Sequence, residues 1–387
     1  MKKQLLSGSL LLALSLSFYA CKKTEEPTTE NGHINSRNGL DVANKILIVK
    51  DDKVKHVAYA KVNSGRITDI NKFKFELTKD EQKTKTAQNF FDIAIVFESA
   101  KIIPAKSKKL RGETGTDLGD YVLAYKEWSS SSSFSPSAKA LSSGDLYNSS
   151  AVKTTTGDAG RYSLTMNNEL KKDILDLKAT GTTVLMNIIP DHENAGWKSF
   201  DTQDKALKFA KQINESIKLY QYDGIDIDEE WANYTGTTYK ESILRVLYEL
   251  KKLWKAEDLL HPGKVLITAK ALYDDSEDFD ASITVDKKKY ALSDLLDYGW
   301  EMTYQSSAYE YRLSDYETAG MTKARLGLGI DFSDGLNDEK SGTETAKYVK
   351  DNAYKFVMYY DVKGADLSRY SAISNLFYKR NLTLIAN

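Results

Sequence analysis

Apolar residues along the chain fall into eight short runs, at 57–60, 91–97, 183–189, 222–228, 264–269, 295–304, 324–330 and 354–360. Runs this short and nearly continuous in Val, Ile, Leu and Phe read as parallel strands covered on both faces. Between several of them the period changes to that of a helix. Leu170, Ile174 and Leu177 share one face, with Asn168 as a cap and Gly181 just past the end. Ala206, Phe209, Ala210, Ile213 and Ile217 follow Thr202 in the same way, and Ile243, Leu247, Leu250 and Trp254 form a third stripe. Strand–helix alternation with eight strands predicts an α/β fold, a (β/α)8 TIM barrel, with an open doubly wound sheet as the competing architecture. The helical period fails over 274–293 and 306–322, so the barrel is expected to be irregular, with helices missing after strands 5 and 6.

Two stretches stand outside this pattern. Residues 1–20 carry a basic start (Lys2, Lys3) and an apolar run too short to span a bilayer, ending at Ala20 before Cys21. Cys21 is the one cysteine of the chain, and a small residue followed by Cys after an apolar run resembles a bacterial lipoprotein signal. The expectation is a signal peptide over 1–20, lipidation of Cys21, a polar tether over 21–50 and the barrel over 51–387. That implies a cell-envelope protein held to a membrane by its lipid anchor alone, with the outer membrane and cell surface as the expected location. The second stretch, 106–160, is rich in Ser, Thr and Gly and poor in apolar clusters. As an insert after strand two it would lie over the mouth of a barrel, with Trp128, Tyr125 and Phe134 available to a ligand.

Charge and composition remove some functions. Lys plus Arg number 54 and Asp plus Glu 55, a balance without the basic excess of nucleic-acid binders. Four scattered His and one Cys give no metal-ligand spacing. No phosphate-binding Gly loop or serine nucleophile elbow occurs, so neither metal nor cofactor is expected.

Chemistry concentrates at 222–231, Tyr-Asp-Gly-Ile-Asp-Ile-Asp-Glu-Glu-Trp. Alternation along a strand puts Ile225 and Ile227 on one face and Asp226, Asp228 and Glu230 on the other. With the isoleucines against helices, three carboxylates point into the barrel and toward its rim. Like charges held together in a buried place raise one another's pKa, which keeps an acid protonated at neutral pH. A calcium loop would place its ligands at other offsets.

The same stretch matches D-G-x-D-x-D-x-E from Asp223 to Glu230 and resembles the signature of glycoside hydrolase family 18. The resemblance implies Glu230 as general acid/base, Asp228 as the group orienting the substrate's 2-acetamido group, and Asp226 backing Asp228. It also implies substrate-assisted retaining catalysis, with the acetamide oxygen as nucleophile. Within the family, 184–197 (VLMNIIPDHENAGW), 91–102 and 297–305 (DYGWEMTYQ) resemble endoglycosidase H-like endo-β-N-acetylglucosaminidases, which cut the chitobiose core of N-linked glycans. Their sixth strand sets a Tyr against the N-acetyl group, which nominates Tyr304. The resemblance further nominates substrate-binding residues: Asn187, His192 and Trp197 in the third-strand region, Asp223 and Trp231 around strand four, Gln305 after strand six, and Tyr360 with Asp361 at the end of strand eight. N-glycans or glycoproteins are the implied partners of a monomer. A chitinase-like hydrolase and a non-catalytic glycan-binding lipoprotein are the alternative readings.

Overall fold

The computed structural model describes residues 53–385, apart from 62–65, 85–86, 105–118, 127–161, 164–165, 167, 192–194, 231, 235, 259–265, 274–275, 305–307 and 334. The expected signal peptide, Cys21 and the tether lie outside the described residues, as do His192, Trp231, Gln305, Trp128 and Phe134.

In chain order, β1 (Lys55–Lys61) leads through a 3-10 turn to β2 (Phe73–Phe75) and α1 (Glu81–Thr84). Next come β3 (Ile93–Pro104), β4 (Tyr121–Lys126), β5 (Tyr162–Ser163) and α2 (Asn168–Ala179). Then β6 (Thr183–Ile189) precedes α3 (Gln203–Tyr220), and β7 (Gly224–Ile227) precedes α4 (Ser242–Asp258). After β8 (Ile267–Leu272) come α5 (Ser276–Asp280), β9 (Ser282–Val285), β10 (Lys288–Ala291) and α6 (Leu292–Leu295). The last units are β11 (Tyr298–Glu301) with α7 (Tyr309–Thr318), β12 (Leu326–Asp331) with α8 (Glu339–Asp351), and β13 (Phe356–Tyr360) with α9 (Leu367–Tyr378). A final strand, β14 (Leu382–Leu384), pairs with β2.

Eight of these strands close a parallel ring, β1–β3–β6–β7–β8–β11–β12–β13 and back to β1. They are the eight apolar runs of the sequence. Alternation divides their side chains cleanly. Val57, Tyr59, Ile95, Leu185, Ala269, Trp300 and Met358 fill the barrel interior. Ala58, Val96, Met186, Ile225, Ile227, Leu328 and Val357 belong to the outer core under the helices.

The three predicted helices form as α2, α3 and α4, and Thr202 caps α3 by accepting from the Lys205 amide. Asn168 is the first residue of α2. After the fifth strand, the short α5, the β9–β10 hairpin and α6 stand where a full helix would be, as the failed period implies. After the sixth strand the expectation of a missing helix is corrected: α7 runs for 10 residues. It buries only Leu313 and Tyr316, too few positions to leave a readable period.

A second correction concerns the insert. Residues 121–126 form β4, antiparallel to the far half of β3, with Val122, Leu123, Ala124 and Tyr125 buried. The Leu123 amide donates to Gln212 Oε1 of α3 at 3.0 Å, and the Tyr125 hydroxyl meets Ser216 of the same helix. Tyr125 is therefore a core residue and not one offered to a ligand. Four apolar residues within a polar stretch are too short a run to stand out by pattern.

Candidate active site

Strand β7 is set by its first residue. Gly224 has φ 149°, and a Cβ there would lie 2.0 Å from the Ile267 carbonyl oxygen of β8. Only glycine lets the two backbones approach so closely. Beyond it Asp226 and Asp228 are buried, and Glu230 follows half-buried past the C-terminal end of the strand. In a (β/α)8 barrel that end is the face where active sites are built.

Asp226 is the inner member. Its Oδ2 accepts from the Tyr59 hydroxyl at 2.8 Å and from Asn187 Nδ2 at 2.7 Å. Tyr59 is aimed in turn by Trp300, whose Nε1 donates to the Tyr59 oxygen at 2.8 Å. Burial raises the Asp226 pKa to about 7, and the Asn187 and Tyr59 donors keep it from rising further. Among the described residues its other oxygen, Oδ1, has no hydrogen-bond partner although it is buried. Asp228 is pushed well above the usual carboxylate range, first by burial and then by the charges of Glu230 and Asp226. The Glu230 amide donates to Asp228 Oδ1 at 3.3 Å.

Asn187 is itself fixed from the neighbouring strand. A bulge interrupts β3 between Val96 and Ala100, where Glu98 adopts φ 54°. The Glu98 amide donates to Asn187 Oδ1 at 2.9 Å, and Ser99 Oγ donates to the Asn187 carbonyl at 3.1 Å. Bulges re-aim side chains at barrel rims, and this one orients the amide that holds Asp226.

Tyr304 lies within electrostatic reach of Glu230 and Asp228. Burial first, and then those charges, raise its pKa well above the ordinary phenol value. Space for its ring comes from Gly329, where a Cβ would meet Tyr304 Cε1 at 2.8 Å. Tyr360 flanks it, with ring centroids 6.0 Å apart, and Lys61 Nζ lies 4.9 Å from the Tyr360 centroid. Asp361, with φ 42°, pairs with Lys363 at 2.9 Å.

Two nominated residues are placed elsewhere. Asp223 precedes β7, at the end of the barrel opposite Glu230; it accepts from the Val184 amide at 2.9 Å and pairs with Lys178. A carboxylate there fastens strand starts and is remote from the mouth. Trp197 is fully buried against Phe209, and its Nε1 donates to the Ile188 carbonyl at 2.9 Å. Its indole is core packing, so it offers no face to a sugar. Sequence reasoning passed over Tyr59, Trp300 and Glu229. Glu229 accepts from the Trp197 amide at 2.9 Å and from the Tyr234 hydroxyl, tying the rim of β7 to the segment before α3 and to its own following loop.

No family model matches the chain. In sequence it is 24% identical over 333 residues to an endo-beta-N-acetylglucosaminidase of Flavobacterium sp. (strain SK1022), spanning 84% of this chain and 81% of the relative. In structure it is similar to a cell-surface-expressed, multi-modular chitinase from Paenibacillus sp. str. FPU-7, with a TM-score of 0.50 at 14% identity, covering 84% of this chain and 32% of that one. A GH18 chitinase from Pseudoalteromonas aurantia matches with a TM-score of 0.46 at 12% identity, over 84% of this chain and 99% of the other. A closed (β/α)8 barrel with three acids delivered by its fourth strand, and this relative in sequence, make the chain a glycoside hydrolase. The whole D-G-x-D-x-D-x-E stretch that resembles the family 18 signature is in place on and around β7.

Proposed function

We propose that the protein is an endo-β-N-acetylglucosaminidase that hydrolyses the N,N′-diacetylchitobiose core of N-linked glycans. The observation that carries this reading is the burial of Asp226 and Asp228 at the C-terminal end of β7, with half-buried Glu230 following them. Burial and neighbouring charge push Asp226 and Asp228 toward their protonated forms, and among the described residues Asp226 Oδ1 is buried with no hydrogen-bond partner while Oδ2 accepts from two donors. That arrangement suits a proton held between the two aspartates and released as positive charge forms on a bound acetamide.

In this mechanism Glu230 donates its proton to the glycosidic oxygen. The carbonyl oxygen of the substrate's 2-acetamido group attacks the anomeric carbon, the bond to the leaving sugar breaks, and an oxazolinium forms. Asp228 accepts from the acetamide N–H, and as charge develops its own proton passes to Asp226, whose pKa of about 7 matches the task. The Tyr304 hydroxyl is a donor to the acetamide oxygen. Glu230, now a carboxylate, takes a proton from water, which opens the oxazolinium with net retention.

The sequence likeness to an endo-beta-N-acetylglucosaminidase supports the endo reading over a chitinase. The test is incubation with glycoproteins of defined N-glycan type. One N-acetylglucosamine left on each Asn is the expected product, and a protein that cuts chitin oligomers but no glycoprotein would overturn the proposal. We further propose that Cys21 carries a lipid anchor that places the enzyme in the cell envelope.

A further inference from the structure

Tyr273 is exposed at the mouth, and its ring is braced by an ion pair anchored in the core. It follows the last residue of β8 directly. The pairing of β7 with β8 sets Ile227 opposite Lys270, and three residues beyond that pair the two chains reach Glu230 and Tyr273. Tyr273 and Glu230 thus leave the C-terminal ends of neighbouring strands, and Tyr273 lies on the side where short elements follow the strand in place of a full helix. It is 58% exposed, whereas Tyr59 and Trp300 of the same barrel are buried.

The ring is held from α7. The Arg312 guanidinium lies 5.4 Å from the Tyr273 centroid. Its Nη1 donates to Glu301 Oε1 at 2.7 Å, and the Tyr316 hydroxyl donates to Glu301 Oε2 at 2.6 Å. Glu301 is wholly buried at the end of β11. A buried carboxylate costs several kcal/mol in desolvation and is held only by good partners. Here both its oxygens are used, and one of them fixes an arginine that stacks on an exposed ring. Ordering an exposed side chain also costs conformational entropy. The fold gains little from ordering Tyr273, but a ligand that meets a ring already in place avoids that cost.

We propose that Tyr273, braced by Arg312 and Glu301, is a stacking platform for a pyranose ring of the glycan beyond the two sugars at the scissile bond. A tyrosine presents a flat apolar face with a polar tip, which matches a sugar's face of C–H groups edged by hydroxyls. The platform sets how strongly a full oligosaccharide is preferred to its core, and it rests on the glycosidase reading above.

Two substrates separate the possibilities: a glycopeptide with an intact N-glycan, and an aryl glycoside of N,N′-diacetylchitobiose. Tyr273→Ala is expected to lower kcat/KM on the glycopeptide about tenfold, mainly through KM, and to leave the aryl glycoside within about twofold. Tyr273→Phe, which keeps the ring, should behave as the parent. Equal losses on both substrates, or no loss on either, overturn the platform. A parent that cleaves neither substrate defeats the glycosidase reading instead. The platform is then decided by calorimetric binding of a free N-glycan in the Glu230→Gln background. Weaker binding on adding Tyr273→Ala supports it, and an unchanged Kd rejects it.

Discussion

Asn187 and Asp226 sit opposite each other on β6 and β7 and are joined by a 2.7 Å hydrogen bond between amide and carboxylate. The same Asn accepts from the Glu98 amide in the bulge of β3, so three adjacent strands meet at one side chain. A donor to a carboxylate favours its charged form, so removing the donor raises the pKa.

Asn187→Ala should therefore lift Asp226 above its present value of about 7, by roughly one to two units, since a hydrogen bond to a charged group is worth about 1.5–3 kcal/mol. Tyr59→Phe should act in the same direction. The limb of the kcat/KM profile belonging to Asp226 is expected to move to higher pH in both variants. A profile that shifts to lower pH would contradict the assignment.

Glu230→Gln should leave folding and glycan binding intact and cut turnover by about 10²–10⁴-fold, the range for a general acid/base. Single-turnover rates on a glycopeptide check this. Retention of half the parent rate would remove Glu230 from the reaction.

Asp228→Asn should fail at a different step. The amide oxygen still accepts from the acetamide N–H but cannot become charged as the oxazolinium forms. Hydrolysis should fall, while a synthetic glycan oxazoline, which already carries the formed ring, should still be transferred to an acceptor sugar. Loss of both reactions would count against substrate assistance.

His56 gives the fold a pH dependence of its own. It is buried between the Tyr359 and Tyr378 hydroxyls, stacked on Phe90, and burial lowers its pKa from 6.5 to about 3. The unfolded chain takes up a proton below about pH 6.5 that the folded protein refuses, so stability is full above that pH and falls as pH drops toward 3. The slope approaches about 1.4 kcal/mol per pH unit. Asp226 works in the opposite sense: its raised pKa favours the fold as pH falls from about 7 toward the ordinary carboxylate value. Comparing urea unfolding of the parent with His56→Gln between about pH 4 and 7 isolates the histidine. The variant is expected to show the flatter dependence, and identical slopes would refute this.

Cys21→Ser should release the protein from membranes, because lipidated Cys is the proposed anchor. Among the described residues no helix is long and apolar enough to cross a membrane. Fractionation of the parent and variant decides it, and a parent found soluble would end the proposal.

The sequence made the barrel legible because strands covered on both faces are apolar throughout and stand out as eight runs. It made Asp226, Asp228 and Glu230 legible because they lie on one strand with period two. What holds them was not legible, since Tyr59, Trp300 and the Glu98 bulge come from other strands and meet Asp226 and Asn187 only in space. Two misplacements have the same origin. Asp223 is close to Asp226 in sequence, yet that interval carries it back to the strand's beginning, and Trp197 folds inward onto Phe209. α7 escaped the pattern because it buries two residues, and β4 because its apolar run is short.

The ring of strands closes between its first member and its last. His56 of β1 and Tyr359 of β13 are 303 positions apart in sequence and 2.9 Å apart in the hydrogen bond that joins them. A ribosome must therefore release everything from β1 to β13 before the seam can form, and until then β1 and β12 both expose an unsatisfied edge. Such open sheets are prone to pair with the wrong chain. Closure across so long a loop also makes folding slow relative to a chain of local contacts. Truncations that spare every acid on β7 but remove 356–360 would leave the catalytic strand in a sheet that has no way to become a barrel.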